Sequence, residues 1–205
     1  MVPVYSIDSE EGIERAVAAL RGGEIIAFPT DTLYGVGGNA LSHAAAARVV
    51  AAKGREPGRG LPVLLAARDD AHQLAAAWPA AAAQLAERYW PGALTIVVPA
   101  RPEVPKAVRA ERTVALRVPG LAALRRLIER AGVPLIGTSA NRSGEPPAVA
   151  AAQASQALGH AVSLVLDGGR VGGAPSTVVV VEGNGWRVVR EGAISAAEIA
   201  ALIRG

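Results

Sequence analysis

The chain has 205 residues, of which 51% are hydrophobic, and a formal net charge of +3. It contains no cysteine, which excludes disulfides, thiolate metal sites and cysteine nucleophiles. Only two of its 21 basic residues are lysines, and arginine, the other 19, suits carboxylates and phosphates. Aromatic residues make up only 3%, so few rings are available for the stacking that single-stranded nucleic acid needs. The composition therefore favours small anionic substrates.

From the N-terminus onwards, the chain shows no targeting signal and then a regular alternation of helices and strands. Residues 1–5 lack the basic and apolar regions of a signal peptide, and no apolar stretch approaches the roughly 20 residues that cross a bilayer. We therefore expect a cytoplasmic protein without a membrane contact. Ser9 suits the N-cap of a first helix that ends at Gly22, and residues 24–28 read as a buried strand before a loop at 29–39.

The remaining elements complete an α/β pattern. Strands are predicted at 61–66, 94–98, 113–118 and 162–166, helices at 44–52, 121–130 and from 146 onwards, alanine-rich helices between 67 and 90, a hairpin over 177–189 and a final helix at 195–203. This order predicts one α/β domain over residues 1–205, with helices packed on a twisted mixed sheet.

The first polar loop, residues 28–38, combines hydroxyl side chains with several glycines. Hydroxyls that donate and accept hydrogen bonds, on a backbone that glycine lets a ligand approach closely, suit a small polar amino acid. The alternative is a plain strand-to-helix connection in which Asp31 satisfies local amides. The spacing alone leaves both interpretations open.

The second loop, residues 53–60, contains three cations within seven residues: Lys53, Arg55 and Arg59. Their mutual repulsion calls for an anion, and a triphosphate would supply one. A favourable position at a helix C-terminus explains Lys53 but less easily the two arginines. The pattern therefore favours an anion site.

Two further polar segments follow predicted strands. Residues 137–146 offer three hydroxyls, an amide and a guanidinium, which is more than a capped turn needs. Ser176 begins the predicted hairpin, Arg190 ends it, and Arg117 ends the strand 113–118, where it can reach a carboxylate. Taken alone, each of these three residue types at such a position is more often a surface residue than a ligand. The chain has no Walker phosphate loop, dinucleotide fingerprint or hydrolase nucleophile elbow, and its three histidines lack metal-ligand spacing, so no protein-held metal site is predicted.

These segments, taken in order, resemble one known family. The motifs are Pro29-Thr30-Asp31-Thr32-Leu33-Tyr34-Gly35, Lys53-x-Arg55, Trp90-Pro91-Gly92-x-Leu94-Thr95, Arg117-x-Pro119, Thr138-Ser139-Ala140-Asn141-x-Ser143-Gly144, Ser176-Thr177 and Arg190-x-Gly192. The ordered set spans about residues 13–194 and is similar to the YrdC family, the threonylcarbamoyl-AMP synthases.

The resemblance implies a sheet curved around a large basic cavity and a specific reaction. L-threonine and bicarbonate give N-carboxythreonine, whose carboxylate attacks the α-phosphate of ATP and expels pyrophosphate. Mg²⁺ is expected to accompany ATP, held by phosphate oxygens and water. The family also implies a separate transferase that passes the threonylcarbamoyl group to adenosine 37 of tRNAs that decode ANN codons.

The resemblance also implies roles for individual residues. Thr32, Arg117, Thr138 and Ser176 would bind threonine. The residues that would contact ATP or its phosphates are Lys53, Arg55, Arg59, Thr113, Ser139, Asn141 and Arg190, with Lys53 and Arg55 the catalytic pair. Catalysis would consist of positioning and electrostatic stabilisation without a covalent nucleophile. We expect Lys53→Ala or Arg55→Ala to abolish AMP formation while the fold stays intact.

The chain departs from the family pattern at a few points. Many relatives carry a histidine on the strand after the basic loop, where this chain has Leu64 or Leu65, and another just after Pro119, where it has Gly120. One contact on the threonine or nucleotide side is therefore expected to differ. Longer members add a C-terminal domain, which we expect this chain to lack.

Two alternative functions fit the same pattern. One is a non-catalytic module that binds double-stranded RNA or ribosomal RNA, which is recognised by shape and backbone rather than by aromatic stacking. A steep salt dependence of RNA binding would favour it. The other is an enzyme that handles a different carbamoylated substrate, which competition between carbamoyl phosphate and threonine plus bicarbonate would reveal.

Overall fold

The computed structural model describes residues 1–54, 58 and 60–204, and within these ranges it is an α/β protein. Its α-helices are α1 Glu10–Arg21, α2 His43–Lys53, α3 Ala80–Tyr89, α4 Ala122–Ala131, α5 Ala151–Leu158 and α6 Ala196–Arg204, with a 3₁₀ helix at Arg68–Gln73. Its strands are β1 Val4–Ser6, β2 Ile26–Pro29, β3 Tyr34–Gly37, β4 Val63–Leu64, β5 Leu94–Pro99, β6 Thr113–Arg117, β7 Leu135–Ile136, β8 Thr138–Ser139, β9 Val165–Asp167, β10 Thr177–Glu182 and β11 Gly185–Arg190. The predicted mixed α/β class is confirmed.

The strands form two mixed sheets, whereas the sequence predicted one. The first sheet has the order β1-β9-β2-β3-β8 and the second the order β11-β10-β5-β6-β4-β7. The chain crosses from the second sheet to the first at Gly137, between β7 and β8. A Cβ atom there would lie 2.4 Å from Cγ of Leu64, so a residue with a side chain would not fit at this crossing.

The predicted loop at 29–39 is wrong at Pro29, which ends β2, and at residues 34–37, which form β3. Antiparallel pairing of β2 with β3 runs from Ile26 opposite Gly37 to Pro29 opposite Tyr34, which leaves only residues 30–33 as a turn. The glycine content indicated a loop, but Tyr34 and Val36 are fully buried. Core burial outweighs the weak strand propensity of glycine at this position.

The helix predicted from residue 146 begins only at Ala151. The preceding residues are held in an extended path by neighbours, because Tyr34 N donates to Ala148 O at 2.9 Å and Val171 N donates to Val149 O at 2.9 Å. Within the described ranges, none of the helices has both the length and the apolar character needed to cross a bilayer.

The middle of the second sheet has one buried and one half-buried face. Strand residues alternate between faces, so Val114 and Leu116 enter the core while Thr113, Ala115 and Arg117 lie on the opposite face. Ala115 pairs with Val97 of β5, which in turn pairs with Val180 of β10. We call these three half-buried residues and Val178 the apolar strip; it lies between the polar ends of the same strands.

Candidate functional site

The turn between β2 and β3 is built by Thr30 rather than by Asp31. Thr30 Oγ1 accepts hydrogen bonds from the amides of Thr32 at 3.0 Å and Leu33 at 3.1 Å, and it lies 3.0 Å from Thr32 Oγ1. Thr30 thus performs the local capping that the sequence offered as an alternative role for Asp31. The Asp31 carboxylate contacts a different part of the chain.

Arg117, at the end of β6, joins this turn to the second sheet. Its Nε donates to Gly92 O at 2.8 Å, and its Nη1 donates to Thr32 Oγ1 at 3.1 Å. Its Nη2 lies 2.7 Å from Asp31 Oδ1, and this ion pair raises the pKa of Arg117. A guanidinium has more N–H donors than these contacts use. The guanidinium therefore retains hydrogen-bonding capacity that a carboxylate ligand would fill.

Two guanidinium groups make this region electropositive. Burial lowers the pKa of Arg117, the nearby Asp31 carboxylate raises it, and the positive charge of Arg190 lowers it further. Loss of hydration around its guanidinium also lowers the pKa of Arg190, although the residue remains accessible. A buried arginine whose pKa is lowered by a neighbouring cation belongs to a site that favours anions.

Ser176 is held between Thr95 and Arg190. Its Oγ lies 2.9 Å from Thr95 Oγ1, and Arg190 Nη2 donates to Ser176 O at 2.8 Å and to Ser176 Oγ at 3.2 Å. Parallel pairing of β10 with β5 brings Thr95 beside Val178, two residues after Ser176. The sheet register therefore brings together hydroxyl and guanidinium groups that are distant in sequence.

The neighbouring Thr177 fixes the segment that follows Arg190. Its Oγ1 accepts from Gly192 N at 2.9 Å and from Ile194 N at 3.0 Å. A Cβ atom on Gly192 would lie 2.1 Å from Pro175 O, so only glycine permits this close approach of the two backbones. The motifs Ser176-Thr177 and Arg190-x-Gly192 thus contact each other directly.

Lys53, the last residue of α2, is 4% exposed and binds the segment after β8. Its Nζ donates to the backbone oxygens of Ser139 and Asn141, the latter at 2.8 Å, and lies 3.4 Å from Asn141 Oδ1. Ser143 N donates in return to Lys53 O at 3.0 Å. Lys53 therefore fixes the conformation of residues 139–143 through contacts inside the protein.

The predicted residues Thr138, Ser139 and Asn141 lie beside the first turn. Thr138 pairs with Val36 and Ser139 with Gly35 across β8 and β3, and both Thr138 and Asn141 are buried. The Asn141 amide donates to Glu145 O at 2.7 Å and to Arg142 O at 2.9 Å, which shapes the loop.

Apart from Thr138, which pairs with Val36, and Thr113, the described site residues thus form three contact groups. The groups are Thr32 with Arg117, Ser176 with Arg190, and Lys53 with Ser139 and Asn141. Thr113 begins β6, so its Cα lies roughly 13 Å from that of Arg117 by strand rise, and its Oγ1 donates to Ala110 O. Arg55 and Arg59 lie outside the described residues.

Sequence reasoning assigned no role to Thr95 and Tyr34 and considered Asp31 only for local amides, whereas the structure connects all three to the site. Tyr34 is fully buried, and its hydroxyl lies 2.7 Å from Gly169 O and accepts from Gly168 N at 3.2 Å. This contact ties β3 to the segment that leads to Ser176. Within the described part of the chain, no cluster of histidine and acidic side chains suits a metal ion.

Tyr34→Phe gives a prediction about alkaline stability. Burial raises the pKa of the Tyr34 hydroxyl above its ordinary value of 10.0. Above about pH 10, Tyr34 ionises more readily in the unfolded chain than in the folded chain. The contribution of the neutral hydroxyl to stability is therefore lost as pH rises through the folded pKa. We expect urea unfolding to show that the stability difference between wild type and Tyr34→Phe falls from about pH 9 to pH 11. A difference that is independent of pH would contradict this role of the hydroxyl.

The fold and the contacts define an α/β protein whose arginine- and hydroxyl-rich site suits a small anionic molecule. A family model described as Telomere recombination (Sua5_yciO_yrdC) matches residues 18–192, and the chain belongs to this family. The resemblance read from the motifs is therefore confirmed.

Individual relatives agree with this assignment. The chain is 36% identical to threonylcarbamoyl-AMP synthase from Bacillus subtilis (strain 168) over 93% of this chain and 56% of that protein. It is 41% identical to threonylcarbamoyl-AMP synthase from Chromohalobacter salexigens over 83% of this chain and 93% of that protein. The structure matches Sua5 of P. abyssi in complex with L-threonine with a TM-score of 0.92 at 33% identity, over 99% of this chain and 61% of that one. The chain thus spans little more than half of the Bacillus relative and most of the Chromohalobacter one.

Proposed function

We propose that the protein forms threonylcarbamoyl-AMP and pyrophosphate from L-threonine, bicarbonate and ATP. The observation that carries the proposal is the buried Arg117, which donates to the Thr32 hydroxyl and has more N–H donors than Gly92, Thr32 and Asp31 use, next to a second cation, Arg190. A carboxylate matches a guanidinium in charge and geometry, and a substrate hydroxyl matches the hydroxyls of Thr32 and Ser176. The names of the relatives and the threonine complex of P. abyssi Sua5 support L-threonine and ATP as substrates.

ATP would occupy the remaining length of the half-buried sheet face. The apolar strip of Val97, Ala115, Val178 and Val180 suits the flat face of a purine, with Thr113 at its far end. Arg190 and the loop that Lys53 fixes, with Ser139 and Asn141, would face the phosphates. Arg55 and Arg59 remain predicted phosphate ligands on the grounds of sequence.

The reaction needs positioning and charge stabilisation more than a reactive side chain. The carbamate of N-carboxythreonine and the triphosphate are both anions, so cations between them lower their repulsion and stabilise the charge that moves onto pyrophosphate. Mg²⁺ on the phosphates would add to this stabilisation. Phosphate oxygens and water would hold the ion, since Mg²⁺ keeps several waters and binds substrate phosphates.

Pyrophosphate release by the purified protein tests the proposal. We expect release from ATP to require both L-threonine and bicarbonate, and mass spectrometry to detect threonylcarbamoyl-AMP. Folded protein that binds neither ATP nor threonine and forms no product would overturn the proposal and favour the RNA-binding alternative. Transfer of the product to tRNA by a separate enzyme, in the cytoplasm, follows as part of the same proposal.

A further inference from the structure

Asp31 is an acidic side chain placed at a site that otherwise attracts anions. Its Oδ1 lies 2.7 Å from Arg117 Nη2, and the Asp31 side chain is 23% exposed against 7% for that of Arg117. Among the ion pairs of the described residues, this is the one that involves Arg117. A carboxylate here weakens the attraction of the site for a second carboxylate, so its presence needs an explanation.

Orientation of Arg117 does not by itself explain Asp31. The guanidinium is already fixed at two of its nitrogens, by Gly92 O on Nε and by Thr32 Oγ1 on Nη1. The amides of the turn are satisfied by Thr30, so Asp31 is not needed for the local backbone either. The charge of the carboxylate is the property that remains.

A free amino acid carries a cation next to its carboxylate. Its ammonium and carboxylate groups are bonded to the same carbon, so they lie only about 3 Å apart, within the reach of one ion pair. A substrate carboxylate that binds Arg117 therefore brings its ammonium group close to any carboxylate that contacts the same guanidinium. Asp31 fits this position, and Gly120 opposite it has no side chain that would crowd the carboxylate.

We propose that Asp31 binds the ammonium group of the amino-acid substrate, a role that rests on the proposed function. Asp31 and Arg117 then form a complementary pair that recognises the zwitterion as a whole. Carboxylation by bicarbonate releases water and a proton and converts the ammonium group into a carbamate anion, so the same carboxylate repels the product. Asp31 thus favours binding of the free amino acid before carboxylation. Once the carbamate has formed, the Asp31 carboxylate disfavours a position of the carbamate next to it.

A comparison of two ligands on two proteins tests this role. Asp31→Asn preserves the shape of the side chain and removes its charge. The ligands are L-threonine and (2S,3R)-2,3-dihydroxybutanoate, which keeps the carboxylate and the β-hydroxyl but has a hydroxyl in place of the ammonium. We expect calorimetry to show that Asp31→Asn weakens threonine binding about 10- to 100-fold, the range for loss of a charge-assisted hydrogen bond, and leaves binding of the hydroxy acid unchanged or tighter.

The control is Glu24→Gln, which removes a carboxylate paired with Arg48 at 2.8 Å on the exposed surface, and we expect it to bind both ligands as wild type does. Equal weakening of both ligands in Asp31→Asn would reduce Asp31 to a positioning residue, and unchanged threonine binding would also overturn the proposal. Wild-type protein that binds no threonine would instead refute the proposed function.

A second variant keeps the test decisive if Asp31→Asn does not fold. Gly120→Ala keeps every charge but would place a Cβ atom 2.9 Å from Asp31 Oδ2, which displaces the carboxylate. We expect the same selective loss of threonine binding relative to the hydroxy acid. Equal affinity changes for the two ligands would exclude Asp31 from ammonium recognition.

Discussion

Arg117→Lys is expected to lower kcat/KM for L-threonine by about 100- to 1,000-fold while the KM for ATP changes little. Lysine keeps the charge but loses the planar fork that lets one side chain contact Gly92 O, Thr32 Oγ1 and a substrate carboxylate together. Loss of two charge-assisted hydrogen bonds costs about 3–4 kcal/mol, which corresponds to this range of rates. Pyrophosphate release at varied threonine and saturating ATP measures the effect.

Arg48→Lys is the matched control, because Arg48 also pairs with a carboxylate but does so on the exposed surface. We expect its kinetic constants to equal those of the wild type, since exposed ion pairs contribute about 0–1 kcal/mol. A wild-type KM for threonine in folded Arg117→Lys would remove Arg117 from substrate binding and, with it, the observation on which the proposed function rests.

Most of the secondary structure could be predicted from the sequence because local signals determine it. Ser9 was predicted to cap α1, and its Oγ accepts from Gly12 N at 3.0 Å. The strands β5 and β6 were placed correctly from their β-branched residues. The division into two sheets was not accessible, because it depends on the crossing at Gly137 and on long-range pairing that leaves no periodic pattern.

The chemical composition of the site was also accessible, whereas the contacts within it were not. The loops with Thr32, Arg117 and Ser176 were recognised by their polar residues, and the structure connects Thr32 directly to Arg117. The partner of Asp31 is 86 residues away in sequence, so local reasoning considered only neighbouring amides. An acidic residue between two threonines in a loop next to a predicted anion site is the signal that would have identified it.

Lys53 shows how burial changes an interpretation based on charge. As one of three cations in a loop it was predicted to face a phosphate, with a fold that tolerates its removal. The structure places its ammonium group on the backbone oxygens of Ser139 and Asn141, with 4% of the residue exposed. Loss of Lys53 is therefore expected to lower activity partly by displacing Ser139 and Asn141. The expectation that Lys53→Ala leaves the fold unaltered is revised accordingly.

Lys53→Met is expected to lower the free energy of unfolding by about 3 kcal/mol and to abolish most pyrophosphate release. Methionine has a similar length but no donor, so the buried Asn141 O loses the ammonium donor and the partly buried Ser139 O keeps only Asn141 N, at about 1–3 kcal/mol for each lost bond. For a chain of this size, the loss corresponds to a melting temperature lower by about 6–12 °C. Thermal unfolding followed by circular dichroism and pyrophosphate release at a temperature where the variant is folded measure the two effects separately.

The chain supplies its own control, because its other lysine, Lys106, is exposed. Lys106→Met removes the same charge and should leave both the melting temperature and the activity unchanged, so any net-charge effect is subtracted. A Lys53→Met variant that melts with the wild type but is inactive would show that the ammonium acts on substrate rather than on the loop. A variant that is destabilised yet fully active when folded would show that the ammonium acts on the loop alone. We expect Lys53→Met to lose both stability and activity, because Lys53 joins α2 to residues 139–143 and these residues belong to the site.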